Sequence, residues 1–140
     1  MKILRPINVA FTALIQILMY WCIIIPTLTM YGITSATPTW VVLCAIAATS
    51  LICAGGYVIN DYFDVKIDRI NRPDRVIVTN TMSKAEAMRL YQIVTGAGIA
   101  CGLVSAFYLR SVTLGMIYVI VPGMLWFYSS SYKRQLIVGN

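Results

Sequence analysis

Apolar residues run almost unbroken along four stretches of this chain, from Val9 to Met30, Trp40 to Ile59, Tyr91 to Leu109 and Val112 to Tyr128. Each is long enough to cross the ~30 Å hydrocarbon core of a bilayer as a helix rising about 1.5 Å per residue. The first is interrupted only by Thr12, Gln16, Pro26 and hydroxyl side chains, which a helix backbone can satisfy. The pattern therefore predicts an all-α, polytopic transmembrane bundle of four helices spread over residues 1–140 as one unit. It does not predict how the helices face one another, because segments that are apolar all round carry little periodic signal. Lys2 and Arg5 ahead of the first run suggest a signal peptide, but the apolar region is too long for one, and a retained signal-anchor helix is expected.

Polarity is concentrated between the second and third runs, in an Asp-rich segment over residues 60–82. Its core reads Asn60-Asp61-x-x-Asp64-x-x-x-Asp68. On a helix with Asn60 at the origin, Asp64, Asp68 and Asp61 fall at about 40°, 80° and 100°, so one face carries an amide and three carboxylates. Carboxylates held together repel one another, and folding alone does not require the arrangement unless a cation sits among them. An all-oxygen donor set selects Mg²⁺ over softer metals, and Arg69, Arg72 and Arg75 just beyond it suit a phosphate-bearing ligand bound to that metal. Further on, Pro73 is expected to end the helical course. Asn80 is expected to take a left-handed turn, and Ser83-Lys84-Ala85-Glu86 reads as a capping box opening the third helix.

Composition fits this frame: 59% of residues are hydrophobic and only 11% charged, with a net charge of +6 and a mean hydropathy of +0.78. Of the 11 basic residues, all but Arg110 flank one side of the predicted spans, which by the positive-inside rule places both termini and the Asp-rich segment in the cytoplasm. Cations that border membrane spans do not form a nucleic-acid face, so no nucleic-acid partner is expected. The four cysteines lie within spans and read as packing residues, and the chain has no histidine, which removes imidazole metal sites and histidine-based catalysis. Two blander readings of the acidic cluster are an ion pathway in a small membrane transporter and a solvated loop in a structural membrane subunit. The first needs a polar path through several spans, and these contain almost no ionisable residues.

The run from Asn60 to Arg75 closely resembles the first aspartate-rich motif of the UbiA-type intramembrane prenyltransferases, and its continuation Asp68-Arg69-Ile70-Asn71-Arg72-Pro73-Asp74-Arg75 is similar to the digeranylgeranylglyceryl phosphate synthase-like branch. Arg5-Pro6-Ile7-Asn8 resembles that family's entry into its first helix. Tyr128 to Arg134, followed by Gly139-Asn140, resembles its signature after the fourth. The resemblance implies the N-terminal part of a nine-helix fold that transfers a prenyl group from a polyprenyl diphosphate, such as geranylgeranyl diphosphate, to a membrane-associated acceptor. That acceptor would be a prenylglyceryl phosphate-like molecule or an aromatic or quinone precursor. It further implies that Asn60, Asp61, Asp64 and Asp68 hold Mg²⁺, the three aspartates being catalytic, and that Lys133, Tyr128, Arg5, Arg72 and Arg75 join Asn60 in contacting the diphosphate. For Tyr128 an interfacial aromatic anchor, and for Lys133 and Arg134 an inside charge anchor, are the alternatives. The stretch Arg75-Val76-Ile77-Val78-Thr79-Asn80 departs from the family's usual Arg-Pro-Ile-Pro-Ser-Gly. The family also carries a second acidic motif, whereas no acidic residue follows Glu86 here. The expectation is therefore a chain that forms half of a metal–diphosphate cage, inactive without a complementary C-terminal half.

Overall fold

The computed structural model describes residues 2–34, 37–71, 78–79 and 81–132; side chains at 2, 66–71 and 132 lie outside that description. It contains four helices long and apolar enough to cross a membrane. Helix α1 spans Pro6–Met30, α2 Thr39–Asn71, α3 Lys84–Tyr108 and α4 Val112–Phe127.

Local chemistry accounts for where these helices begin and bend. Pro6 opens α1 at a position where its missing N–H is of no consequence. Within α1 the residues Met19–Ile24 take π-helical turns just ahead of Pro26. Proline removes a backbone donor, and local widening of the helix is one way a membrane helix accommodates it. The Thr29 hydroxyl donates to the carbonyls of Ile25 at 2.7 Å and Pro26 at 2.9 Å, satisfying acceptors near the same break. At the start of α3 the expected capping box is present: the Ser83 N–H donates to the Glu86 carboxylate at 2.8 Å, and the Glu86 N–H to the Ser83 hydroxyl at 3.2 Å. Replacing Ser83 by alanine should lower stability by about 1 kcal/mol, read as a lower Tm in detergent together with faster amide exchange confined to the first turn of α3. Ser111 caps α4 by accepting from the Leu114 N–H at 3.2 Å. The tight α3–α4 connection places Arg110 in the left-handed region, at φ 50°.

Helix α2 does not stop where its apolar run does. It continues as one 33-residue helix from Thr39 through the aspartates to Asn71. At about 50 Å it is longer than the hydrocarbon core is thick, so its last turns carry the acidic motif beyond the apolar window. Pro73, expected to end this helix, lies outside the described residues, as does Asn80. The left-handed residue among those described in this turn is Thr79, at φ 83°, whose N–H donates to the Met82 carbonyl at 2.7 Å.

Helix α2 is also the centre of the packing, in contact with all three others. Small residues let backbones approach: a Cβ added at Gly98 of α3 would stand 3.1 Å from the Ala48 carbonyl oxygen of α2. In lipid, where no water drives apolar surfaces together, such close packing is what holds helices to one another. One buried cluster gathers Ala48, Ile52 and Tyr118; the other gathers Ile3, Val58, Val65, Val78 and Ala87 near the acidic end. Helix α1 is the most peripheral, with no fully buried residue. A side-chain hydrogen bond ties it to α2: the Thr49 hydroxyl donates to Gln16 Oε1 at 2.6 Å, while Gln16 Nε2 is held within α1 by donating to the Thr12 carbonyl at 3.0 Å. The four cysteines form no disulfide.

Candidate functional site

The helical register of α2 brings Asn60 and Asp64, four residues apart, onto one face, where Asn60 Nδ2 donates to the Asp64 carboxylate at 2.9 Å. Asp64 is only 7% exposed, which is rare for a carboxylate and requires compensation from neighbours. Asp61, one residue round the helix, accepts a hydrogen bond from the guanidinium of Arg5 at 2.9 Å. The same guanidinium lies over the Tyr57 ring, 4.9 Å from its centroid. Two attachments 52 and 56 residues along the chain therefore fix the entry to α1 against α2. Arg5 reaches them from a left-handed backbone, at φ 45° and ψ 62°, a conformation that disfavours a side-chain-bearing residue by roughly 1–2 kcal/mol. Strain of this kind is held in place by its surroundings, and here the surroundings are the carboxylate and the ring.

A cavity of about 540 Å³ opens beside these groups. Arg5, Asn60, Tyr128 and Ser129 stand at one end of its lining, and from there two parallel stripes descend into the bundle. The stripe on α2 is Tyr57, Gly56, Cys53, Ile52 and Thr49; that on α4 is Leu125, Val121, Tyr118 and Ile117. Both follow the three-to-four-residue spacing that puts side chains on one helix face. The charged group and the amide are gathered at the mouth, while the walls behind are mostly apolar, with Thr49 and Tyr118 the hydroxyl-bearing side chains towards the far end. Tyr128 begins a second π-helical stretch, Tyr128–Tyr132, whose altered register turns Ser129 inward, where it is buried. Such stretches occur disproportionately at functional sites.

Of the residues singled out from sequence, the structure thus brings together Arg5, Asn60, Asp61, Asp64 and Tyr128. The backbone of Asp68 continues the helix of α2, but its side chain, like Arg72, Arg75 and Lys133, lies outside the described residues. Among the described residues no three acidic, histidine or cysteine side chains form a metal-binding group; Asp61 and Asp64 are the carboxylates on this face. Sequence reasoning missed Tyr57, Gly56 and Ser129. Tyr57 had a legible signal, three residues before Asn60 and so on the same helical face, whereas Ser129 depends on the π-helical register.

A family model for the UbiA prenyltransferases matches residues 20–140. The chain belongs to that family. Over 103 residues it is 37% identical to the digeranylgeranylglyceryl phosphate synthase of Metallosphaera sedula, a match covering 74% of this chain and 34% of that protein. To the synthase of Sulfurisphaera tokodaii it is 32% identical over 96 residues, covering 69% of this chain and 33% of the relative. The fold is also similar to a solved structure from work on digeranylgeranylglyceryl phosphate synthase in membranes, with a TM-score of 0.71 and 26% identity, over 94% of this chain and 42% of that one. The match thus spans about a third of the length of these curated relatives. The acidic stretch of α2 lies within the residues that the UbiA family model matches, whereas Arg5 lies ahead of them.

Proposed function

We propose that this chain binds a polyprenyl diphosphate, with the diphosphate at the Arg5–Asn60–Asp64 mouth and the prenyl tail in the cavity, for Mg²⁺-dependent transfer of the prenyl group to a membrane-associated acceptor. The observation that carries the reading is the cavity itself, polar and charged at one end and mostly apolar along the rest, which matches a ligand with an anionic head and a hydrocarbon tail. The donor set fits the metal: a largely buried carboxylate on Asp64, a second on Asp61 and the Asn60 amide are all hard oxygen donors. When bound, Mg²⁺ neutralises the charge that develops on diphosphate as the allylic C–O bond ionises. The protein's own part is positional. Arg5 places a guanidinium with planar, bidentate donor geometry beside the metal-binding face. Apolar walls exclude water from the carbon that becomes electron-deficient.

From the sequence pattern we assign Asp68 to the same metal face, and Arg72, Arg75 and Lys133 to the diphosphate. The names of the relatives favour a prenylglyceryl phosphate as the acceptor. The basic residues gathered on one side of the spans favour a cytoplasmic mouth. Because the chain spans about a third of the length of the curated relatives it matches, binding rather than turnover is the property to test on it.

The test is calorimetric binding of geranylgeranyl diphosphate to the detergent-solubilised chain, in Mg²⁺ and in EDTA. Binding in Mg²⁺ that falls at least about tenfold in EDTA supports the reading; equal binding in both, or none in folded protein, refutes it. In the same assay Arg5→Gln should weaken binding by roughly tenfold, the loss of one charge-assisted hydrogen-bonding group. Geranylgeraniol, which has no diphosphate, should not feel the change.

A further inference from the structure

Arg110 stands apart from every other charge in the chain. All five acidic residues, and all the basic ones except Arg110, fall on the Asp-rich side of the spans, so Arg110 is the only charged side chain at the opposite end of the bundle. Among the described residues no carboxylate pairs with it, and Glu86, at the far end of the same helix, is about 36 Å away along α3. Arg110 closes α3 in a Schellman turn, its N–H donating to the Phe107 carbonyl at 3.1 Å and the Ser111 N–H to the Ala106 carbonyl at 3.0 Å. Its place in such a turn normally belongs to glycine, because the backbone is left-handed there, here at φ 50°. The helix dipole does not account for an arginine instead. The turn already satisfies carbonyls of the last turn of α3, and the N-terminus of α4, of opposite sign, begins two residues on.

What the side chain does stand beside is a furrow of about 870 Å³ between α3 and α4. Small residues make its floor: a Cβ on Gly115 would lie 3.6 Å from the Cβ of Ala106, which is buried. Leu103, Phe107, Met116 and Val119 make the walls and are exposed, Phe107 by 87%. From Ser111 to Ile120 the furrow runs about 14 Å along α4, close to half of the ~30 Å hydrocarbon core and so the depth of one leaflet. On α4, Gly115, Met116 and Val119 lie roughly 150° round the helix from the stripe Ile117, Tyr118, Val121 and Leu125 that lines the other cavity. The furrow therefore opens on the outer face of the bundle, towards lipid.

We propose that this furrow holds an anionic membrane lipid, with the lipid phosphate on the Arg110 guanidinium and a hydrocarbon chain laid over Ala106 and Gly115. Charge complementarity selects the occupant. A guanidinium with no carboxylate at its end of the bundle binds a phosphate with two parallel hydrogen bonds, whereas a zwitterionic lipid brings its own cation next to that phosphate and gains less. The site lies at the other end of the bundle from the Arg5–Asn60–Asp64 mouth and on the other face of α4, so it stands independently of the prenyl diphosphate reading.

The experiment is photolabelling of the chain in nanodiscs with phosphatidylglycerol or phosphatidylcholine bearing the same diazirine-containing acyl chain, with labelled residues mapped by mass spectrometry. Phosphatidylglycerol is expected to label residues 103–120 at least about fivefold more than phosphatidylcholine, roughly what one cation is worth next to an anionic lipid. Arg110→Gly, which relieves the left-handed backbone and should not lower the Tm, is expected to erase the preference. Gly115→Leu keeps the charge but fills the floor, and should reduce phosphatidylglycerol labelling there by a similar factor. Should Gly115→Leu lose its helical signal in circular dichroism, Phe107→Ala, which cuts down an exposed wall, takes its place with the same expected direction. Equal labelling by the two lipids, or a preference that survives Arg110→Gly, overturns the proposal. So does preferential labelling confined to residues 84–91 beside Lys84 and Arg89, or cross-linking of two copies through an unlabelled furrow, which would make a second copy of the chain the occupant.

Discussion

Replacing Asp64 by alanine is expected to abolish Mg²⁺-dependent binding of geranylgeranyl diphosphate, with a loss of about a hundredfold or more, while leaving the helix content unchanged. Of the two described carboxylates on the acidic face, Asp64 is the one withdrawn from solvent, and its orientation is set by the Asn60 amide at 2.9 Å. A fixed, partly desolvated carboxylate attracts a divalent cation more strongly than a solvated one, because less water screens it. Even residues that only orient a metal ligand change affinity by about 10- to 100-fold when removed, so the ligand itself should exceed that range. Asp61 differs, being already engaged by Arg5. Asp61→Ala should therefore lose less, since it removes one donor to the metal but frees the guanidinium for the diphosphate. Asp64→Asn separates shape from charge, and it should behave like the alanine variant because Mg²⁺ binding depends on the anion. Calorimetric titration of all three variants in Mg²⁺ and EDTA is the check. Mg²⁺ dependence retained in Asp64→Ala would place the metal elsewhere on the chain.

What the sequence disclosed, and what it withheld, follows from which signals are local. Four spans were legible from run lengths, the capping box from Ser83 and Glu86, and the Asn60–Asp64 pairing from four-residue spacing, because all of these depend only on neighbours along the chain. The continuation of α2 past its apolar run was legible as well, from the helical facing of the aspartates and from Pro73 beyond them, and the backbone runs helical to Asn71; hydropathy alone would have ended the helix at Ile59, because it reports the solvent around a helix and not its hydrogen bonding. The partner of Asp61 lay 56 residues away, at the start of the first helix, and nothing in the pattern near Arg5 names it. The cavity was likewise hidden. Its walls are two stripes on α2 and α4, helices whose uniform apolarity gives no sign of which face is inside. The π-helical turns at Met19–Ile24 and Tyr128–Tyr132 shift that facing again, and only the first has a proline beside it as a cue.

Gly102 shows how closely the candidate site depends on packing against α3, a helix that does not itself line the cavity. A Cβ placed there falls on the ring of Tyr118, which is buried with Ala48 and Ile52 and also lines the cavity. Two effects oppose each other in Gly102→Leu. Intrinsic helix propensity favours leucine by nearly 1 kcal/mol. Against it, the ring cannot move aside without disturbing a core that α2, α3 and α4 share, and overpacking of this sort destabilises by about 1–3 kcal/mol or more. In lipid or detergent there is no compensating gain from apolar burial, so the packing loss should dominate. The expected result is a Tm lowered by several degrees, together with weaker binding of geranylgeranyl diphosphate as Tyr118 is pushed into the cavity. Gly96→Leu provides the contrast: it lies on the same helix, exposed, with nothing within 4 Å of an added Cβ, and should leave both measurements unchanged or raise the Tm slightly. A Tm that rose equally in the two variants would mean that propensity, not the contact with Tyr118, governs position 102, and that α3 and α4 are not held together at this glycine.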